Sequence, residues 1–429
     1  MRNEPDRHSL TESQQKAFDK IESIVTSENG NVATLKGYAG TGKTTLLRHL
    51  VRRLGPDFSD TYMLAPTHKA AEVLGRKTGR EVATVHSALG MYPEPDGEGG
   101  YKFVRSGKGR RNFVFGSLLA IDEASMIPQK LYNILEEIRE NRNLSIIFSG
   151  DPAQLPPVNE NPSPALEHDG YMLDKIVRQE QDNPIIQASM DVRRADMPKL
   201  YSFKSDWNGD KGVEVVESRG DLIGKAIDSF ETDTYKRHGD HVRILAYRND
   251  VVETYNTLCR DLLYGDTGEQ FIEGEWLVAT QPWFGTDGQK QVPVVQNSEE
   301  FVVEDKEPSQ LYEFDTWVLE ISSSPQANDI RHIEVLNRDE LPRYNARLEE
   351  LAEKAKNTGN WSKYYDYKEH FARVDYSYAM TTHKAQGSTF TRTFVDVEDI
   401  DTCPNPAEIG RLKYVATTRA SDKLVVFDG

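Results

Sequence analysis

The sequence predicts an α/β protein with two doubly wound, parallel-sheet cores, interrupted by a hairpin and by a β-rich segment. Three observations carry this reading. Four short apolar runs, at 32–35, 62–65, 118–121 and 145–149, alternate with helix-like stretches such as 69–76 and 129–139. The same rhythm returns at 213–216, at 242–246 followed by a helical 251–263, and at 393–397 and 423–427. Only the first set carries a Gly-Lys-Thr loop and an Asp-Glu pair after a strand, so one core is expected to bind a nucleotide and the other to close on it.

The run 32–35 leads into Gly37-Tyr38-Ala39-Gly40-Thr41-Gly42-Lys43-Thr44, the full Gly-x-x-x-x-Gly-Lys-Thr spacing, and a helix opens at Thr45. Gly37, Gly40 and Gly42 let backbone N–H groups turn toward a polyphosphate, and the helix N-terminus adds its dipole. Lys43 is placed for the β- and γ-phosphates, with Thr45 beside it, and Thr44 offers its hydroxyl to Mg²⁺. ATP and Mg²⁺ are the ligands this pattern calls for. The run 118–121 ends in Asp122-Glu123. After a phosphate loop, Asp122 is suited to the water shell of Mg²⁺ and Glu123 to deprotonating the attacking water. The run 145–149 enters Gly150-Asp151-Pro152-Ala153-Gln154. There Gln154 either bonds the γ-phosphate and the attacking water or belongs to a plain Pro-rich turn.

Two insertions break the rhythm. Residues 88–115 hold Pro93, Pro95 and a Gly97, Gly99, Gly100 cluster, and the alternation 101–105 faces 110–114 across a basic tip at 106–109, a hairpin pattern. Phe103 in it is either a wedge against base pairs or an aromatic packed on the β-rich segment. From about 264 to 372, strand candidates at 275–280, 291–295, 300–304, 315–322 and 331–336 predict a small β-barrel. Leu341, Tyr344, Leu348, Leu351 and Ala355 then mark one stripe of a helix that packs on it and ends at Thr358-Gly359-Asn360.

Composition bounds the remaining classes. A hydrophobic content of 37% with 28% charged residues fits a soluble globular chain. No apolar run approaches the roughly 18 residues of a membrane span, and residues 1–7 are polar, so neither a span nor a signal peptide is expected and the cytoplasm is the predicted location. Cys259 and Cys403 are too few for a disulfide framework or a zinc site. A net charge of −17 argues against coating nucleic acid through bulk charge, yet permits a local basic groove.

The order of these motifs resembles superfamily 1 helicases, in the RecD/Pif1-like (SF1B) branch and its Dda-like members, over about residues 10–424. Leu10-Thr11-Glu12-Ser13-Gln14 resembles the Q motif, which implies that Gln14 reads the adenine edge. Segments 65–71 and 84–87 resemble motifs Ia and Ib, 121–126 and 150–158 motifs II and III, and 173–179 motif IV. Segment 381–389 resembles motif V and 414–420 motif VI, with an aromatic stretch at 361–371 ahead of them. The resemblance implies that Arg178 and Arg419 are arginine fingers on the γ-phosphate, each worth on the order of 10³–10⁵ in rate. It adds Gly387 to the nucleotide site. It implies strand contacts from Pro66, Thr67, His68, Thr84, His86, Phe103, Asn249, His383 and Lys384, directed to phosphates, sugars and base faces rather than base edges. Val177 stands where relatives carry an adenine-stacking aromatic, which leaves that role unassigned.

The implied architecture is a first RecA-like core (1–87 and 116–177), a pin (88–115), a second RecA-like core (178–264 and 373–429) and an SH3-like insertion with a helical, aromatic extension (265–372). The implied activity is ATP-driven 5′→3′ translocation on single-stranded DNA and unwinding of duplex, in phage-type replication or recombination. Implied partners are single-stranded and forked DNA, a single-strand-binding protein or replisome components. The protein would act as a monomer, in the host cytoplasm if phage-encoded. An NTP-gated remodelling ATPase and a 3′→5′ helicase are the alternatives.

Overall fold

In the computed structural model, which describes residues 10–27, 31–105, 113–157, 160–177, 182–265, 267–287, 290–325 and 327–429, the apolar runs of the first half form one six-stranded sheet. Its order is Val82–Thr84, Thr61–Ala65, Leu118–Ile121, Ser145–Gly150, Val32–Gly37 and Gly170–Leu173, and every pairing is parallel. Leu118–Ile121 and Ser145–Gly150 are buried along their whole length because helices cover both faces of the sheet. All strands point the same way, so the loops after Gly37, Ile121 and Gly150 emerge together at one edge. The flanking strands Val82–Thr84 and Gly170–Leu173 are too short to show a period in the sequence.

The second core repeats the plan. Ala379–Thr381, Val242–Ala246, Phe390–Asp396, Ala420–Phe427 and Lys211–Val216 lie parallel, and Asp206–Asn208 adds an antiparallel edge. Its apolar cluster takes in Leu155, which comes from the first core's third loop. Among the described residues no helix is long and apolar enough to cross a membrane.

The described hairpin pairs Tyr101–Arg105 antiparallel with Met91–Pro95. Of the expected partner 110–114, residues 110–112 lie outside the described residues, together with the basic tip at 106–109. The turn is the acidic Asp96-Gly97-Glu98-Gly99-Gly100, where Asp96 Oδ1 accepts the N–H groups of Glu98 and Gly100 and Gly97 and Gly99 supply positive φ. This tip is held by the helix Ser362–Lys368. Tyr365 Oη lies 2.8 Å from the Gly100 carbonyl and accepts the Gly99 N–H, and Lys368 Nζ donates to the Gly99 carbonyl at 2.8 Å. Tyr101 Oη donates to Glu369 at 2.6 Å.

The β-rich insertion is a five-stranded antiparallel sheet, Arg331–Leu336, Phe314–Ser322, Glu300–Leu311, Trp276–Ala279 and Val374–Tyr376, with Trp283–Asp287 and Lys290–Val295 as a separate two-stranded sheet. Among the described residues a single bridge, Val335–Ala372, links the segments at its two edges, so it curls without the continuous ladder of a closed barrel. Strand Glu300–Leu311 is longer than the expected 300–304 because the chain reverses at Tyr312-Glu313, both at positive φ without a glycine to announce the turn. The helix Leu341–Thr358 packs through Tyr344, Leu348 and Ala355, and Gly359 caps it in the left-handed region, while Leu341 of the expected stripe is exposed.

Gly170 lies against Thr34 of the phosphate-loop strand, and a Cβ there would overlap the Thr34 carbonyl and backbone, which cannot move without breaking the sheet. Gly170→Ala should destabilise the first core by about 1–3 kcal/mol, read as a lowered first transition in thermal unfolding. An unchanged melting curve would mean that Gly170–Leu173 does not dock at this edge.

Candidate active site and strand groove

The phosphate loop leaves the strand Val32–Gly37 and enters the helix Lys43–Leu54 through Gly42, at φ 80. A side chain at Gly42 would collide with Gln14, and Gly40, at φ 74, lies against Ile176 and Ile186. The loop is therefore pressed between the N-terminal helix and the second core. Gln14 closes a capping box with Thr11 and sends its amide N–H to the Thr41 carbonyl at 3.2 Å, leaving one N–H and one lone pair for a base edge. Lys43 Nζ rests on the Tyr38 carbonyl at 3.1 Å, and Thr45 is exposed on the first helical turn.

Asp122 ends the strand Leu118–Ile121, with Oδ1 accepting from Ser149 Oγ at 2.7 Å and from the Glu123 N–H at 3.0 Å. Its Oδ2 accepts from Thr44 Oγ1 at 3.2 Å, so a hydroxyl and a carboxylate oxygen stand side by side at the mouth of the loop. Hard oxygen donors at this place suit Mg²⁺. Glu123 takes a left-handed φ of 52, and its Oε2 is buried with no hydrogen-bond partner among the described residues. Burial, then the neighbouring Asp122 charge, push its pKa up, with Arg419 and Lys43 pulling the other way. A carboxylate with a raised pKa and a free buried lone pair is equipped to accept a proton from water.

Arg419 faces this pair from the second core. Its guanidinium is buried, donates to Ser388 O at 2.8 Å, Val415 O at 3.2 Å and Thr418 Oγ1 at 3.0 Å, and has its pKa lowered by that burial, with Glu123 opposing. Arg178 lies outside the described residues.

Four side chains that the sequence reading did not single out reach across the cleft. Tyr414 Oη donates to Asp151 at 2.6 Å and accepts the Ala39 N–H at 2.9 Å. Arg411 Nη1 donates to the Pro152 carbonyl at 3.0 Å and to the Gln154 carbonyl at 2.5 Å. Gln386 Nε2 donates to the side chain of the buried Gln154 at 3.1 Å and to the Leu155 carbonyl at 3.2 Å. Arg193 completes the contact, its guanidinium 3.3 Å from the centre of the Tyr38 ring. Only Gln386 and Tyr414 lie within recognised motif segments, and nothing in a sequence marks their partners.

On the other side of the first core, Thr67 after Pro66 caps the helix His68–Thr78, and Thr84 caps Val85–Ala88. These caps bring His68 and His86 to one surface, beside an open cleft of about 720 Å³ lined in part by His68, Thr84 and Ser87. Phe103 is half exposed and its ring lies 4.3 Å from that of His86 at a tilt of 35°, so it touches the first core. Gly387 lies against Ala70 and near Thr67, where the two cores meet. Lys384 and Asn249 are exposed, whereas His383 is tied to Glu408 at 2.9 Å.

A family model described as an AAA domain matches residues 9–209, and one described as a UvrD-like helicase C-terminal domain matches residues 376–427. The chain is similar to the ATP-dependent DNA helicase dda of Enterobacteria phage T4, with 29% identity over 96% of this chain and 97% of that protein. It is 34% identical to the ATP-dependent DNA helicase PIF1 of Emericella nidulans over 31% of this chain and 19% of that protein. Among solved structures it aligns with a Pif1 helicase from Bacteroides in complex with ADP-AlF3 and ssDNA, at a TM-score of 0.48 and 17% identity, over 97% of this chain and 92% of the other.

Burial lowers the pKa of His68 below 6.5, and burial followed by the charge of His68 does the same to His86. Both rings are neutral at neutral pH and gain charge only on acidification. Affinity for an oligonucleotide at fixed ionic strength should therefore rise as the pH falls below 6.5, and rise less in His68→Ala and His86→Ala. Fluorescence anisotropy across that range checks it, and a flat profile in the wild type would remove both rings from the phosphate path.

Proposed function

The chain belongs to the Pif1-like superfamily 1B helicases and is an ATP-dependent DNA helicase, and we propose that it moves 5′→3′ along single-stranded DNA and opens the duplex ahead of it. The observation that carries the chemistry is the convergence of Thr44, Asp122 and the buried Glu123 Oε2 beneath Arg419 of the opposite core. In this reading Thr44 and Asp122 would hold Mg²⁺, which would supply charge neutralisation for the phosphates. Lys43 leaves the Tyr38 carbonyl for the phosphates, Glu123 takes the proton of the attacking water, and Arg419, with Arg178, stabilises the charge spread over the transferring phosphoryl. Gln14 holds the loop and reads the base edge.

The four parts would be the two RecA-like cores (1–87 with 116–177, and 178–264 with 373–429), the pin (88–115) and an SH3-like module (265–372). Support for 5′→3′ movement comes from the small hairpin insertion and the β-rich second insertion, the pattern of the RecD/Pif1-like branch. Pro66, Thr67, His68, Thr84, His86 and Phe103 form the first core's grip on the strand, and Asn249, His383 and Lys384 the second core's. Alternate loosening of these grips during closure moves the chain by one direction only. Likeness to a phage DNA helicase over nearly the whole length favours service in phage-type replication or recombination, with single-strand-binding or replisome proteins as partners in the host cytoplasm. A monomer carries both grips and both fingers.

Lys43→Ala and Glu123→Gln should each lower DNA-stimulated turnover at least about a hundredfold, yet differ in binding. Lys43 meets ground-state phosphates, so its loss weakens nucleotide affinity. Glu123 acts on water, so its loss leaves affinity intact. Titration with a fluorescent ATP analogue separates them, and equal loss of affinity in both would undo the assigned roles.

Polarity is read with partial duplexes. Those bearing a 5′ single-stranded tail should be unwound and those with only a 3′ tail left nearly intact. Efficient opening from the 3′ tail alone would reverse the direction, and stimulated ATP turnover without opening from either tail would favour the remodelling ATPase.

A further inference from the structure

We propose that Gln386 is a positioning residue for hydrolysis, which fixes the side-chain amide of Gln154 so that its N–H end is presented to the γ-phosphate. The inference rests on the reading of the Lys43, Asp122 and Glu123 cleft as an ATPase site. Both amides are buried, Gln154 at 6% and Gln386 at 5% exposure, so neither orientation is averaged by water. Donor and acceptor chemistry decides which way they face. A main-chain carbonyl only accepts, so the Gln386 atom 3.2 Å from Leu155 O is nitrogen. The Gln154 atom 3.1 Å from that same nitrogen is then the amide oxygen. With its oxygen engaged, Gln154 keeps its N–H donors for the nucleotide. A donor can bond a phosphate oxygen but cannot accept a proton from the attacking water, which leaves proton abstraction to Glu123 alone.

The backbone around Gln154 is held from the same core, since Arg411 grips the Pro152 and Gln154 carbonyls and Leu155 sits in the second core's apolar cluster. Gln386 also belongs to the turn that carries Lys384. Its N–H meets the His383 carbonyl at 3.3 Å, and Lys384 N–H meets Thr381 Oγ1 at 3.3 Å. A pull on Gln154 from a γ-phosphate is thereby passed to a residue exposed toward the strand.

The test compares Gln386→Ala, Gln386→Glu, Gln154→Ala and the double variant Gln154→Ala/Gln386→Ala. Glutamate keeps the volume of glutamine but cannot donate to Leu155 O, so it separates amide orientation from packing. Both Gln386 variants should lower DNA-stimulated kcat by roughly ten- to hundredfold with little change in KM for ATP, the size of effect that misplacement of a reacting group produces. The double variant should be no slower than Gln154→Ala, because Gln386 works through that side chain. A second readout needs no turnover: the change in oligonucleotide affinity caused by a non-hydrolysable ATP analogue should disappear in Gln386→Glu. A wild-type kcat in Gln386→Glu, or losses that multiply in the double variant, would overturn the inference alone. A wild type without DNA-stimulated turnover would overturn the ATPase reading and the inference with it.

Discussion

The hydroxyl of Tyr414 holds the two halves of the molecule in register. One buried oxygen joins the helix Pro406–Thr417 both to the phosphate loop, through the Ala39 N–H, and to the loop after Ser145–Gly150, through Asp151. Asp151 is fully buried, and a carboxylate out of water is costly by several kcal/mol unless its lone pairs are bonded. Ala153 N–H satisfies one oxygen from within its own loop, but the other depends on the opposite core. Neither core can therefore present this loop properly alone. The burial that pins the hydroxyl, with the Asp151 charge beside it, also pushes the Tyr414 pKa far up, so the bridge stays protonated at any physiological pH. From that tie the rest of the cleft follows: Arg419 stands five residues further along the same segment, and Arg411 and Gln386 reach the loop that Asp151 begins.

A second meeting of the halves is built of a different material. Lys69 and Arg76, on the helix His68–Thr78, face Glu300 of the β-rich insertion at 3.6 Å and Asp240 of the second core at 3.0 Å. The Arg76 pair is partly exposed, and such pairs contribute on the order of 0–1 kcal/mol. Short hydrogen bonds, several of them charge-assisted, thus cross the nucleotide cleft, while ion pairs cross the groove side. That division suits a machine whose grip on a strand must change while its chemistry stays in alignment. In the proposed strand path of a chain of net charge −17, rings and hydroxyls would take the part of a basic surface, and a modest number of phosphate contacts would let go readily.

How much of this was legible depended on whether a residue answers to its neighbours in sequence or in space. Lys43, Thr44, Asp122 and Glu123 were legible because strand, loop and helix force their spacing, and the structure brings Thr44 within 3.2 Å of Asp122. The hairpin was legible as a hairpin but not in its pairing. Alternation at 101–105 has two possible partners, and the Asp96 to Gly100 turn, with its glycines at positive φ, selects Met91–Pro95. Tyr312-Glu313 escaped notice since a turn of two positive-φ residues without glycine or asparagine leaves no local mark. Phe103 was divided between two roles, and its contact with His86 joins unconnected elements. Gln386 is plain in motif V as a letter, yet its meaning lies in Gln154, 232 positions away in the chain.

The hairpin's attachment at both ends has a mechanical consequence. Its root is in the first core, and its tip is held by Tyr365 and Lys368, which belong to the insertion of the second. A strip secured at one end yields to a sideways load, whereas one secured at both behaves as a strut. Any sliding that drew root and tip apart would have to break the Gly99 and Gly100 bonds.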